Sequence, residues 1–177
     1  MKCLNIVEVA GKRPVIGENV FIDPGARVMG DVRIGDDVVV LFGAILRGDD
    51  DSVTVGRRSV VLENALLEAP AGHPVVVGEE VLISHGAIVH GARVERGSLI
   101  GIGAIVLDGA VIGRESIVAA GAVVPPGKII PPRTIVVGVP AKPVREVREE
   151  DLARVREELE AVHRKSRYYR EALKCSG

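Results

Sequence analysis

Aliphatic residues recur at every sixth position along most of this chain, and that spacing restricts the folds open to it more than any other feature. From Val94 the beat runs unbroken through Ile100, Val106, Ile112, Val118, Val124, Ile130 and Val136. An earlier run passes through Ile16, Ile22, Val28, Ile34, Val40 and Leu46. Two residues before most beats stands something small: Ala26, Ala44, Ser59, Ala65, Ala87, Ala92, Ser98, Ala104, Ala110, Ser116 and Ala122. A helix repeats every ~3.6 residues and a strand every ~2, so neither produces a period of six. A β-solenoid does, because each short strand turns one branched and one small residue inward at every corner.

The chain has 177 residues, enough to bury one core. That core must be aliphatic: tryptophan is absent, and Phe21, Phe42, Tyr168 and Tyr169 are the only aromatic residues. Lysine plus arginine (23) nearly balance aspartate plus glutamate (24), which leaves no basic field to attract nucleic acid or an anionic membrane. No apolar run is long enough to span a bilayer, and the N-terminus lacks the core of a signal peptide. A soluble, cytoplasmic protein without nucleic-acid or membrane partners is expected. Cys3 and Cys175 stand alone near the two ends and read as incidental thiols, since they form neither a metal motif nor a disulfide framework.

The predicted organisation is an all-β solenoid over residues 1–139, whose first 12 residues form an arm over the first coil. A linker at 140–146 and an amphipathic helix over 147–175 follow. In the helix, Leu152, Val155, Leu159, Val162, Ser166, Tyr169 and Leu173 advance by alternating threes and fours, a narrow apolar stripe meant for a coil face or a neighbouring subunit. His163, beside that stripe, reads as a solvated helix residue. The beat slips three times: nine residues from Leu46 to Val55, ten from Leu67 to Val77 and five from Val89 to Val94. The first two slips read as loops, at 47–51 and 68–74, and loops on a rigid scaffold are where function concentrates.

With three hexads per coil plus the residues that the slips add, Leu46 stacks under Leu67 and Leu67 under Val89. The column just after the beat then runs Met29, Arg47, Glu68, His90, Leu107, on coils about 4.8 Å apart. A second column runs Phe42, Glu63, His85, Ile102 on the adjacent face. His85 and His90 therefore should not meet within one chain. Around a threefold axis, one face would meet the adjacent face of a neighbour, and the seam would gather His90 and Glu68 from one chain with His85 from the next. Two histidines and a carboxylate with an open fourth position form a known catalytic zinc set.

Arg47-Gly48-Asp49, the segment Ile83-Ser84-His85-Gly86-Ala87-Ile88-Val89-His90-Gly91-Ala92, the stretch from Ile100 through Leu107-Asp108-Gly109-Ala110, and Gly138-Val139-Pro140-Ala141-Lys142 together resemble the γ-class carbonic anhydrase family of hexapeptide-repeat proteins. The match covers nearly the whole chain. The resemblance implies that the solenoid is a left-handed β-helix, and it implies a homotrimer with zinc (or iron or cobalt) held by three histidines at each subunit interface. It also implies reversible CO2 hydration by a metal-bound hydroxide, the activity of a zinc-dependent lyase. His85 and His90 match two of the ligands, and Arg47 and Asp49 match a pair that ties the subunits together near the site.

This sequence departs from the family pattern in two places. Glu68 stands where the third ligand is a histidine. Val60-Val61-Leu62-Glu63 replaces Asn-x-Gln-Asp, so the two polar partners of the bound hydroxide or CO2 become Val60 and Leu62, and only Glu63 for aspartate is conservative. A carboxylate ligand makes the ion a poorer acid, and the lost amides weaken orientation; low activity is expected. A metal-free seam, held by an Arg47–Glu68 ion pair with His90 alongside, is the competing expectation. A hexapeptide acyltransferase working on a CoA thioester and a non-catalytic trimeric scaffold also stay open. His73, in Gly72-His73-Pro74, reads as a surface loop residue, with replacement ligand as the alternative. Among the acids, Asp49 is assigned to Arg47, Asp50 and Asp51 to solvent, and Asp108 and Glu115 to corners with no partner visible.

Overall fold

The computed structural model describes residues 5–174; Cys3 and Cys175 lie outside them. The chain winds into a left-handed parallel β-helix of short strands and closes with one helix, Glu149–Lys174. The hexad beat is the core. Val28, Leu46, Val61, Leu67, Ile83, Val89, Val94, Ile100, Val106, Ile112, Val118, Val124 and Val136 have no exposed surface, and the small residues two positions earlier fill the space beside them. A branched residue and a small one alternate at each corner, so adjacent coils pack into one continuous apolar core. Three of the small residues are serines, and each satisfies its buried hydroxyl on the next coil. Ser59 Oγ donates to Gly78 O at 2.7 Å, Ser98 Oγ to Gly113 O at 2.9 Å and Ser116 Oγ to Pro131 O at 2.8 Å.

Three faces result. The first stacks Ile45, Leu66, Ile88, Ile105 and Val123 in register, all pointing away from the core. The second stacks Phe21, Val39, Val60, Leu82, Leu99, Ile117 and Ile135. The third carries a more polar outward row, with Arg33, Thr54, Val76, Arg93 and Val111 in register.

The helix lies on the second face of its own chain. Val155, Leu159 and Val162 pack on Phe21, Val39, Val60 and Leu82, while Leu152 packs on Ile135. It therefore runs back from the last coil to the first, where the Tyr169 ring sits 6.3 Å from Phe21. Its 26 residues span ~39 Å at 1.5 Å per residue, enough to cover the whole face. Asp151 holds the start: it accepts the Arg148 N–H at 2.9 Å and pairs with both Nη atoms of Arg145. His163 is not simply solvated, since its Nε2 lies 3.1 Å from Arg58 O. No helix among the described residues is long and apolar enough to cross a membrane.

Two segments differ from expectation. Residues 47–51 are not a loop but part of one continuous strand, Ile45–Val55, which turns the corner beside Arg27–Ile34; the extra residues are absorbed by a register shift between Gly30 and Val32. Within 140–146, Lys142–Glu146 pairs antiparallel with Thr134–Val137 and closes the exposed edge of the last coil.

Candidate metal centre

Both polar columns form as expected. Met29 pairs with Arg47, Arg47 with Glu68 and Glu68 with His90. On the other column, Asn64 N–H donates to Phe42 O, Gly86 N–H to Glu63 O and Gly103 N–H to His85 O. That ladder stacks Phe42, Glu63, His85 and Ile102. His85 precedes the strand Ile88–His90 and His90 ends it, so the columns run along opposite edges of the first face. Between them lies the apolar row of Ile45, Leu66, Ile88, Ile105 and Val123, which the helix leaves uncovered.

Along the His90 edge, Arg47 Nε donates to Asp49 Oδ2 at 2.9 Å and Arg47 Nη1 donates to Glu68 Oε1 at 2.8 Å. The bond to Asp49 and the charges of Glu68 and Asp49 raise the Arg47 pKa further. Burial opposes ionisation of Asp49, but the Arg47 bond and charge and the backbone N–H groups of Asp49 and Asp50 outweigh it and hold the carboxyl below its usual range. Among the described residues, Asp49 Oδ1 is buried with no hydrogen-bond partner, an uncommon state for a carboxylate oxygen. The Arg47–Glu68 pair that the metal-free expectation requires is thus present, whereas His90 does not join it.

His90 turns instead to Asp108, its Nδ1 sharing a short hydrogen bond with Oδ1. Asp108, expected to be a corner residue without a partner, is therefore part of the site. The signal lay in the third slip. Because only five residues separate Val89 from Val94, the coil above is in register at seventeen residues (Val89 with Val106), and the corner brings residue 108 rather than 107 to His90. Glu115 also has a partner, Arg133 Nη1 at 3.0 Å, but this pair lies on another corner.

His85 Nδ1 lies 2.7 Å from Glu63 Oε2, at ion-pair distance but without hydrogen-bond alignment, and among the described residues that oxygen has no hydrogen-bond partner. Glu63 thus lies beside His85 as a charge contact, whereas Asp108 is hydrogen-bonded to His90. Val60 and Leu62 belong to a different environment. They are 0% and 2% exposed, in the apolar cluster under the helix, so the two positions that lack the family's amides serve here as packing. His73 is exposed, and its loop folds back on the corner that carries Gly91 and Asp108.

A carboxylate on one ring nitrogen leaves the other for a metal, the usual support of a liganding histidine. His85 and His90 each have Nε2 available in this way, and Glu68 keeps Oε2 when Oε1 accepts from Arg47. Two imidazoles and one carboxylate oxygen suit zinc, iron or cobalt. Among the described residues, no three of His, Cys, Asp or Glu gather within one chain to hold an ion. The donor set fits a metal only if two chains contribute to it.

The solenoid with its hexad core defines a hexapeptide-repeat protein. The model of that repeat family, described as bacterial transferase hexapeptide (six repeats), matches residues 13–48 and 91–126. Over 143 residues the chain is 41% identical to a probable carbonic anhydrase of Methanocaldococcus jannaschii, covering 81% of this chain and 90% of that protein. It is 37% identical over 164 residues to a carbonic anhydrase of Geobacillus kaustophilus, covering 90% of this chain and 88% of the other. A solved Bacillus cereus structure described as a putative acetyltransferase superposes with a TM-score of 0.92 at 32% identity, over 94% of this chain and 97% of that one. The chain belongs to the γ-class carbonic anhydrase family of hexapeptide-repeat proteins.

Proposed function

We propose that the chain forms a homotrimer that holds a divalent metal at each subunit seam and catalyses reversible CO2 hydration at a low rate. The observation that carries this reading is the placement of His85 and His90. They stand on opposite edges of one uncovered apolar face, each backed by a carboxylate at Nδ1. Burying the apolar row against a neighbour's edge gives a heterologous contact that closes into a ring, in which His85 of one chain approaches His90 and Glu68 of the next. The orphan oxygen of Asp49 then has a place to find a donor across the seam.

A bound zinc, iron or cobalt ion would supply the Lewis acidity that makes water a nucleophile near neutral pH. This chain's own residues do the rest. Asp108 and Glu63 orient His90 and His85, and Arg47, tied back by Asp49, holds Glu68 so that one oxygen faces the seam. The rate is low for two reasons: Glu68 adds negative charge to the donor set, and the positions of the family's two amides, Val60 and Leu62, are packed under the helix and leave substrate without those partners.

The test is metal content per chain and mass in solution, measured on untagged protein prepared without chelators and without air. One ion per chain in a trimer, lost on His85→Ala or His90→Ala, is expected. A folded trimer without metal would instead favour a seam held by the Arg47–Glu68 pair. Acyl transfer from a CoA thioester is the second reading, favoured by the likeness to the Bacillus cereus structure; acetyl-CoA binding in calorimetry would support it over the first.

A further inference from the structure

Two of the three irregularities in the hexad beat meet at one corner. The step from Leu67 to Val77 is lengthened to ten residues, and on the coil above the step from Val89 to Val94 is shortened to five. The added residues form a tight turn, in which His73 N–H donates to Pro70 O at 2.9 Å and Gly72 takes a φ of +80°, as the third position of a type II turn requires. The turn delivers His73 to Gly91. A Cβ at residue 91 would stand 2.8 Å from His73 Cβ and 2.7 Å from Asp108 Oδ1, the oxygen bonded to His90. On the next coil, a Cβ at Gly109 would lie 4.0 Å from His73 Nδ1. The imidazole therefore runs along a corner made of glycines, and it shares with the Asp108 carboxylate the space that a side chain at 91 would take.

We propose that His73 is a positioning residue: seated on Gly91 and Gly109, it confines the Asp108 carboxylate against His90 Nδ1 and so fixes which ring nitrogen His90 turns outward. Without that confinement, Asp108 is a corner side chain with 38% of its surface in water, free to change rotamer. A neutral imidazole that loses its acceptor exchanges between two tautomers. The four extra residues of the loop thus have a purpose that the solenoid alone does not require. The role concerns the orientation of His90 in the bare chain, so it stands apart from the proposed metal chemistry.

The test is the 15N spectrum of the histidine ring nitrogens in the metal-free, full-length protein. The wild type should show His90 as one tautomer with hydrogen on Nδ1. His73→Ala should move the His90 signals toward a mixture while the His85 signals, from the opposite edge of the face, stay in place. His73→Phe keeps a ring on the glycine corner and should restore the wild-type pattern. Gly91→Ala should act in the same direction as His73→Ala; where it fails to fold, the two His73 variants decide. His90 signals unmoved in His73→Ala, or moved as far by His73→Phe, would overturn the proposal. The expected pattern in a protein that takes up no ion would support the role of His73 and remove the metal centre.

Discussion

His90 shares its Nδ1 hydrogen with Asp108, eighteen residues along the chain, although the strands beneath them are in register at seventeen, Val89 against Val106. One missing residue at a corner therefore decides which side chain orients this histidine. Asp108→Ala should weaken metal uptake by about 10- to 100-fold, the usual effect of removing a carboxylate behind a liganding histidine. Stability should change by less than ~1 kcal/mol, because the site is surface-accessible. Titration of the apoprotein with zinc beside a urea melt reads both; unchanged zinc affinity would remove Asp108 from the site.

Glu68 is shared between two readings, as ligand and as partner of Arg47. Glu68→His should raise zinc affinity, because an imidazole replaces a carboxylate already engaged by Arg47, and should raise the rate of CO2 hydration, because the donor set loses a negative charge; Arg47 keeps its bond to Asp49. A variant whose only change is a weaker trimer would assign Glu68 to the ion pair.

Val60 and Leu62 lie under the helix rather than beside open solvent. Val60→Asn and Leu62→Gln should each cost about 1–3 kcal/mol, the penalty of burying an amide without partners. Urea unfolding measures this directly. Variants that match wild-type stability and hydrate CO2 faster would show that these positions still face substrate.

Leu159, in the middle of the helix stripe, is 6% exposed. Leu159→Ala should destabilise the fold by about 2–5 kcal/mol, and far-ultraviolet dichroism during denaturation would follow the helix as it leaves the second face.

The side-chain bond from Arg145, together with the Arg148 N–H, holds the Asp151 carboxyl well below the usual carboxylate range. The folded pKa lies below the unfolded one, so its contribution is complete above the unfolded value and is lost as pH falls through the folded value. Asp151→Asn should therefore destabilise the protein at about pH 7 and make progressively less difference below about pH 4. Denaturation midpoints at both ends of that range check this; an equal effect at both would separate the cap from the charge of Asp151.

The hexad beat made the solenoid legible because every inward position in a coil is chemically constrained by its neighbours above and below. The same arithmetic placed Arg47, Glu68 and His90 in one column and Glu63 and His85 in another. It failed at Asp108, where one residue fewer changes the alignment at a corner; Glu115 reaches Arg133 in the ordinary eighteen-residue register, which the columns had not been extended to cover. Residues 47–51 looked like a loop because three extra residues interrupt the beat there, yet one continuous strand absorbs them through a register shift against its neighbour. The bond from His163 to Arg58 O depended on where the helix would settle, which no local pattern encodes.

In the proposed seam, His85 and His90 of different chains share one ion. The most direct measurement mixes the two single variants, His85→Ala and His90→Ala, by co-expression and reads metal per chain. Each variant alone should hold none. In randomly mixed trimers, about a quarter of the seams pair an intact His90 with an intact His85 of the neighbour, so about a quarter of the wild-type metal content should return. Mixed trimers as empty as either variant alone would contradict a seam built from two chains.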